Sequence, residues 1–215
     1  MKKINIVVMG APNSGKGTLC ERLSKDFNLF NLSSGQILRD NIEKGTELGK
    51  KAKPHMLGIV PEEVVTDMVL EKVKNQSGFD GIVFDGYPRT ISQALALDEN
   101  VKIDLVILLN YDQKEEDKLI SRALNRYVCQ NCKATLSNSM LDFGRCPKCG
   151  GEVVKRDDAN AENAKKRLEV FKKETIPVIN YYSARVFRLN AFDDKEKIAK
   201  QAEEIIKRVL AGKWL

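Results

Sequence analysis

Residues 4–19 read INIVVMGAPNSGKGTL. Ile4, Ile6, Val7, Val8 and Met9 make an apolar, β-branched run with the character of a buried strand. The run breaks at Gly10, crosses Ala11-Pro12-Asn13-Ser14, and resumes with helical spacing at Gly15-Lys16-Gly17-Thr18-Leu19-Cys20. Strand, glycine-bounded loop and helix are the context that a G-x-x-x-x-G-K phosphate loop requires. Backbone N–H groups of such a loop, and of the first helical turn behind it, have no intrahelical acceptor and sit at the positive end of the helix dipole. Lys16 adds a point charge for the outer phosphates. The hydroxyl residue, Thr18, comes one place later than in the general pattern because Gly17 follows the lysine. A bare match of this length also arises by chance, but both flanks here are of the right type. The stretch predicts a nucleotide phosphate site.

A chain of 215 residues, 42% hydrophobic and 31% charged, can bury a substantial core, as one domain with insertions. Its net charge of +6 suits the phosphates of small nucleotides as readily as nucleic acid. No apolar run approaches a membrane span. Met1-Lys2-Lys3 before an apolar run faintly resembles a secretory signal, but cleavage there would remove the phosphate loop, so a cytoplasmic protein is expected.

Further strands are predicted at 81–84, 103–109 and 186–189. Helices are predicted through residue 27, at 36–44 (capped by Ser33 or Ser34), 50–57, 61–74, 114–126, 161–182 with a kink at Pro177, and 195–210. Residues 31–35 and 45–49 read as breaks. Strands alternating with helices indicate an α/β domain with a parallel sheet. Asp85 then falls at the carboxyl edge of the sheet, where such sheets bind ligands, and is placed to hold Mg²⁺ through water. Arg89, four residues on, suits a second phosphate group. Arg39, Arg89, Arg122, Arg126, Arg156 and Arg167 are spread over several segments, as stabilisation of a loose phosphoryl transition state by charge would need. A salt-bridged surface pair is the alternative for Arg122 and Arg126, read as four apart on one helix face.

Cys129-x-x-Cys132 and Cys146-x-x-Cys149 are two knuckles whose four thiolates can close a tetrahedral zinc site, with a compact β-hairpin expected between them. Iron fits the same ligands, and two disulfides are the competing reading, disfavoured in a cytoplasmic chain. Cys20 reads as a packed core residue, and His55 is assigned no role.

GAPNSGKGT (10–18), SSGQILR (33–39), DGYPRT (85–90) with Gln93, and Arg122 with Arg126 occur in the order seen in adenylate kinases. Over essentially its whole length the chain resembles the long-lid, zinc-containing type. The resemblance implies the phosphate-loop nucleoside monophosphate kinase fold, with a central parallel sheet flanked by helices. It divides the chain into a core (1–32, 62–126 and 163–215), an AMP-binding insertion (33–61) and a zinc-binding lid (127–162). It implies Mg²⁺-dependent transfer, ATP + AMP to two ADP, by a monomer. Asn13, Ser14, Gly15, Lys16, Gly17 and Thr18 would hold ATP phosphates, with Arg122, Arg126, Thr135, Leu136 and Asp193 completing the ATP site. Ser34, Arg39, Gly58, Ile59, Val60, Gly86, Tyr87, Pro88, Arg89 and Gln93, with Arg156 and Arg167, would form the AMP site. Lys16, Arg89, Arg122, Arg126, Arg156 and Arg167 would be catalytic. Gln93 would read adenine, since its amide carries both a donor and an acceptor.

Four residues depart from the family pattern: Asn13 for Gly, Gln36 for Asp, Leu136 for an aromatic, and Ala159 for the second Asp after the lid. Asn13 matters if its position needs positive φ, which Asn tolerates. A kinase for another nucleoside monophosphate is opposed by Gln93 and the long lid. A zinc-ribbon nucleic-acid binder is opposed by the scarcity of lid aromatics (Tyr127 and Phe143), so no nucleic-acid or membrane partner is expected.

Overall fold

The computed structural model describes residues 3–55, 60–141, 144–156 and 159–213. At its centre is β1 (Ile4–Gly10), whose Ile6 and Val7 are wholly buried. A strand apolar on both faces must be covered on both, which is why it reads as a continuous hydrophobic run rather than an alternation. After α1 (Lys16–Asp26) come the short edge strand β2 (Phe30–Ser33), α2 (Ser34–Lys44), α3 (Glu47–Ala52) and α4 (Glu62–Lys74). The sheet continues with β3 (Gly81–Asp85), α5 (Ile91–Asp98) and β4 (Leu105–Asn110).

Then follow α6 (Glu116–Leu124), three short strands β5 (Arg126–Cys129), β6 (Thr135–Ser137) and β7 (Val153–Lys155), and α7 (Ala161–Val170). The chain closes with α8 (Ile176–Tyr181), β8 (Val186–Asn190) and α9 (Lys195–Leu210).

Chain contacts divide the protein into two units, one of residues 1–10, 15–110 and 173–215, the other of 11–14 and 111–172. The first holds a five-stranded sheet in the order β2-β3-β1-β4-β8, every pair parallel. Strand order reverses around β1, so the crevice beyond its carboxyl end is the topological switch point where sheets of this kind bind ligands. Gly10 ends β1 there, and Asp85 ends β3 beside it. The second unit holds the antiparallel sheet β6-β5-β7 with α6 packed on α7. No described helix is long and apolar enough to cross a membrane.

Several expectations are corrected. Residues 30–33 form a strand where a break was read. β2 is only four residues long and half polar, too short to show a period, and it is specified by pairing with β3 and by the Phe30–Phe79 ring contact at 5.3 Å. The helix expected at 50–57 begins earlier, at Glu47, because the Thr46 hydroxyl accepts the Gly49 N–H at 3.0 Å as a cap. Arg126 opens β5, so it does not share a helix face with Arg122. The hairpin is β5–β6, spanning the first knuckle rather than lying between the two. Pro177 sits in the first turn of α8, where a missing N–H costs little, and the interruption falls ahead of it as a π-helical stretch, Phe171–Thr175.

Gly81 opens β3 at φ +143°, where a Cβ would lie 1.8 Å from the Ile4 carbonyl oxygen. Since Ile4 is its partner in the ladder, Gly81→Ala must pull β3 away from β1. The expected loss is roughly 2–4 kcal/mol, measured as a lower midpoint in urea unfolding; an unchanged midpoint would refute this account of the pairing.

Candidate active site

The loop after β1 turns tightly. Asn13 has φ +66° and Gly15 φ +102°, and the Ser14 N–H donates to the Ala11 carbonyl at 3.2 Å. The position where Asn replaces the family's Gly therefore does require positive φ, and Asn supports it through its short polar side chain. Gly15 is the N-cap of α1. None of the described side chains caps that helix, and its first turn carries no acid. Ser14 is 2% exposed, and its hydroxyl has no hydrogen-bond partner among the described residues. A buried hydroxyl left this way is costly unless something occupies the loop, and an anion at uncapped amides meets the need. The Lys16 ammonium donates to the Gly10 carbonyl at 2.9 Å.

Asp85 sits at the foot of this loop. Its Oδ2 accepts from the Ser33 hydroxyl at 3.2 Å, and a Cβ on Gly17 would lie 3.5 Å from the same oxygen. Beneath it Cys20 is fully buried; burial pushes its thiol well above the ordinary range and the nearby Asp85 charge pushes it further. Cys20 is thus a protonated packing residue.

The segment after β3 is held almost atom by atom. The Ser34 hydroxyl donates to the Gly86 carbonyl at 2.8 Å, and the Arg89 Nε donates to the same carbonyl at 2.7 Å. Tyr87 precedes a cis Pro88, and its hydroxyl lies 3.3 Å from both the Thr66 hydroxyl and the Gln93 carbonyl. Thr90 caps α5, receiving the Gln93 N–H, and it donates to Glu62 at 2.9 Å, which also receives the Ser92 hydroxyl. The Thr175 hydroxyl donates to the Arg89 carbonyl at 3.1 Å. Gln93 is 6% exposed, and its Oε1 accepts the Arg89 N–H at 2.8 Å. Its acceptor is thus engaged by the loop, and the amide NH₂ is the half that this contact leaves. Glu62, Thr66 and Thr175 were missed from sequence. Each is an ordinary polar residue on another element, with no local pattern to mark it.

In the second unit, Arg122 Nη1 lies 3.5 Å from the Asn13 carbonyl and Arg126 Nη1 donates to Asn13 Oδ1 at 3.3 Å. The Arg156 N–H donates to the Arg126 carbonyl at 3.1 Å, so the two backbones are adjacent. Arg167 lies on the exposed face of α7. Ala159, buried, closes a turn on the Arg156 carbonyl at 2.9 Å.

Two candidates for the ATP site have side chains engaged within the protein. The Leu136 side chain is 2% exposed and packs with Cys129 and Cys146 in the small core of the three-stranded sheet. Thr135 beside it is exposed. The Asp193 carboxylate pairs with Lys197 at 2.8 Å, one turn on, so any nucleotide contact there falls to the backbone. Gly58 and Ile59 lie outside the described residues; Val60 is half-buried.

Cys129, Cys132, Cys146 and Cys149 bring their sulfurs within 4.8 Å of one another. Two of the pairs are 3.5 Å (Cys129–Cys149) and 3.6 Å (Cys132–Cys146) apart, and none of the four forms a disulfide. Disulfide bonds would need ~2.0 Å. A tetrahedral ion with Zn–S near 2.3 Å separates its sulfurs by ~3.8 Å, so the set fits a metal. The Cys132 N–H points at the Cys129 sulfur and lowers that thiol to about 6, while hydrogen bonds to the neighbouring sulfurs raise Cys132 to about 12, so the clustered thiols share their protons. The knuckles are built alike. Cys129 N–H donates to the Ala134 carbonyl and Lys133 N–H to the Cys129 carbonyl, at 3.0 and 3.1 Å. Cys146 and Gly150 repeat both bonds at 3.0 and 2.8 Å.

A phosphate loop at the switch point of a parallel sheet, with an arginine-bearing, internally hydrogen-bonded loop ending the neighbouring strand, fits a nucleotide kinase of the phosphate-loop class. Residues 8–187 match the family model for adenylate kinase. The adenylate kinase of Caldicellulosiruptor bescii is 40% identical over 214 residues, covering 95% of this chain and 98% of its own. That of Alkaliphilus oremlandii is 37% identical over 213 residues, covering 94% and 97%, and that of Archaeoglobus fulgidus is 36% identical over 218, covering 96% and 99%. The chain belongs to the adenylate kinase family, and its reaction is the reversible phosphoryl transfer ATP + AMP = 2 ADP.

Lys133, at φ +58°, occupies the position that Gly150, at φ +70°, holds in the second knuckle. A side chain with a Cβ is strained there, so Lys133→Gly is expected to stabilise the metal-loaded protein by about 0.5–1 kcal/mol. A lower thermal midpoint in the variant would show that the lysine's contacts outweigh the backbone strain.

Proposed function

We propose that the reaction is carried out by Lys16, Arg89, Arg122, Arg126, Arg156 and Arg167 acting on the phosphates. Asn13 to Thr18 hold those of ATP, and Ser34, Arg39, Val60, Gly86 to Arg89 and Gln93 hold AMP, together with Gly58 and Ile59. The orphaned Ser14 hydroxyl above an uncapped helix supports the loop's part most directly. Lys16 follows the outer phosphates as charge shifts from donor to acceptor. The arginines stabilise charge on the transferring oxygens, where a loose transition state needs alignment more than covalent chemistry. Gln93, oriented by the Arg89 N–H, presents its NH₂ to an acceptor atom of the adenine edge.

Asp85 is acceptor-rich and steadied by Ser33, which fits it to hold the waters of a nucleotide-bound Mg²⁺. Mg²⁺ supplies charge neutralisation on the donor phosphates when bound. The four thiols would hold a structural Zn²⁺, in a lid of 127–162 that is too small to build a full core from its own side chains. Residues 33–61 form the AMP-binding insertion on a core of 1–32, 62–126 and 163–215. The protein acts as a monomer in the cytoplasm, with ATP and AMP as its partners.

The test is ADP formation from ATP with AMP, UMP, CMP or GMP as acceptor, with and without Mg²⁺. Mg²⁺-dependent turnover restricted to AMP is expected; another preferred acceptor would overturn the reading of Gln93. Arg89→Ala should lower kcat by roughly 100-fold or more, as for loss of a charged transition-state donor; a change in KM alone would remove Arg89 from the catalytic set. Stripping the metal with a thiol-competing chelator should lower the thermal midpoint, and readdition of Zn²⁺ should restore it. An unchanged midpoint would rule out a structural ion.

A further inference from the structure

Gln36 is the departure from the family pattern that the proposed catalytic scheme leaves without a part. It lies on α2, one turn before Arg39 and Asp40. Arg39 Nη2 donates to Gln36 Oε1 at 2.7 Å, and Gln36 Nε2 donates to Asp40 Oδ1 at 2.6 Å. The spacing is i, i+3 and i+4, so all three lie on one helix face. The amide can take only this orientation. A guanidinium offers only donors and an ionised carboxylate only acceptors, so the oxygen must face Arg39 and the nitrogen Asp40.

We propose that Gln36 is a positioning residue that sets the direction of the Arg39 guanidinium toward the AMP phosphate; this rests on the reading of Arg39 given above. Anchored at its far end on Asp40, the amide is a fixed acceptor that holds one edge of the guanidinium. It does so with a neutral oxygen. A carboxylate of the same length would form a charge-assisted bond with Arg39 and compete with the phosphate for the guanidinium. It would also face Asp40 as a like charge one turn away. The amide therefore orients Arg39 without neutralising it.

The experiment uses the full chain, with AMP varied at saturating Mg·ATP. Gln36→Ala is expected to raise KM for AMP roughly five-fold while kcat and KM for ATP stay within about two-fold, since what is lost is orientation of one acceptor-side group. Alanine is a good helix former, and circular dichroism checks that α2 is kept. Gln36→Glu, with the same length and a full charge, should raise KM for AMP above the value for Gln36→Ala. In an Arg39→Ala background, Gln36→Ala should add nothing further, which a merely structural role would not produce.

Equal effects of Gln36→Ala in both backgrounds, an unchanged KM for AMP, or a loss spread over kcat and both KM values would each overturn the positioning role. Arg39→Ala with an unchanged KM for AMP would instead overturn the reading of Arg39, and the two failures are told apart by that single variant.

Discussion

The first unit is built on a buried parallel strand that delivers the chain to a helix start with no side-chain cap among the described residues. β1 is buried on both faces, so it cannot shift. It delivers Gly10 to the one place in the sheet where strand order reverses, and α1 starts from Gly15 with neither a side-chain cap nor an acid in its first turn. Helix starts normally satisfy their first N–H donors themselves. Here no described side chain caps α1, and the Lys16 ammonium is held on the Gly10 carbonyl, an arrangement suited to an anion.

The loop after β3 solves a different problem. An arginine and an amide must be held in fixed directions on irregular backbone. Gly86 accepts from both Ser34 and Arg89, and Gln93 holds the Arg89 N–H. Thr175 holds the Arg89 carbonyl, and Glu62 gathers two hydroxyls at the start of α5. The supports come from four elements, α2, α4, α5 and the π-helical stretch, so the loop is held without being regular. Preorganisation of this sort reduces what substrate binding must spend on ordering side chains.

The second unit shows how a small sheet manages without a large core. Its buried centre is Cys129, Cys146 and Leu136 with a few partly covered neighbours, so two of the proposed metal ligands are also its principal hydrophobic residues. Two knuckles with the same pair of backbone bonds present four sulfurs at tetrahedral spacing. The strand that carries the first knuckle begins with Arg126, so building the sheet and placing an arginine beside Asn13 are one event.

The sequence by itself determined the features whose cause is local. The phosphate loop, the alternation of strands and helices, α9 to its end residues, and the four-cysteine cluster each follow from spacing and residue type within a few positions. So did the need for positive φ at Asn13 to be tolerable, since that depends on one side chain. Tertiary structure alone decided what depends on a distant partner. β2 exists because β3 pairs with it. Arg126 left the helix because β5 pairs with β6 and β7, and Leu136 was withdrawn into a core that only the folded knuckles create. The acceptor of Gln93 is turned to the Arg89 backbone, and Thr175 reaches the Arg89 carbonyl from 86 positions away. A hydrogen bond leaves no periodic trace in a sequence, and a contact across that separation is fixed by the packing of whole elements.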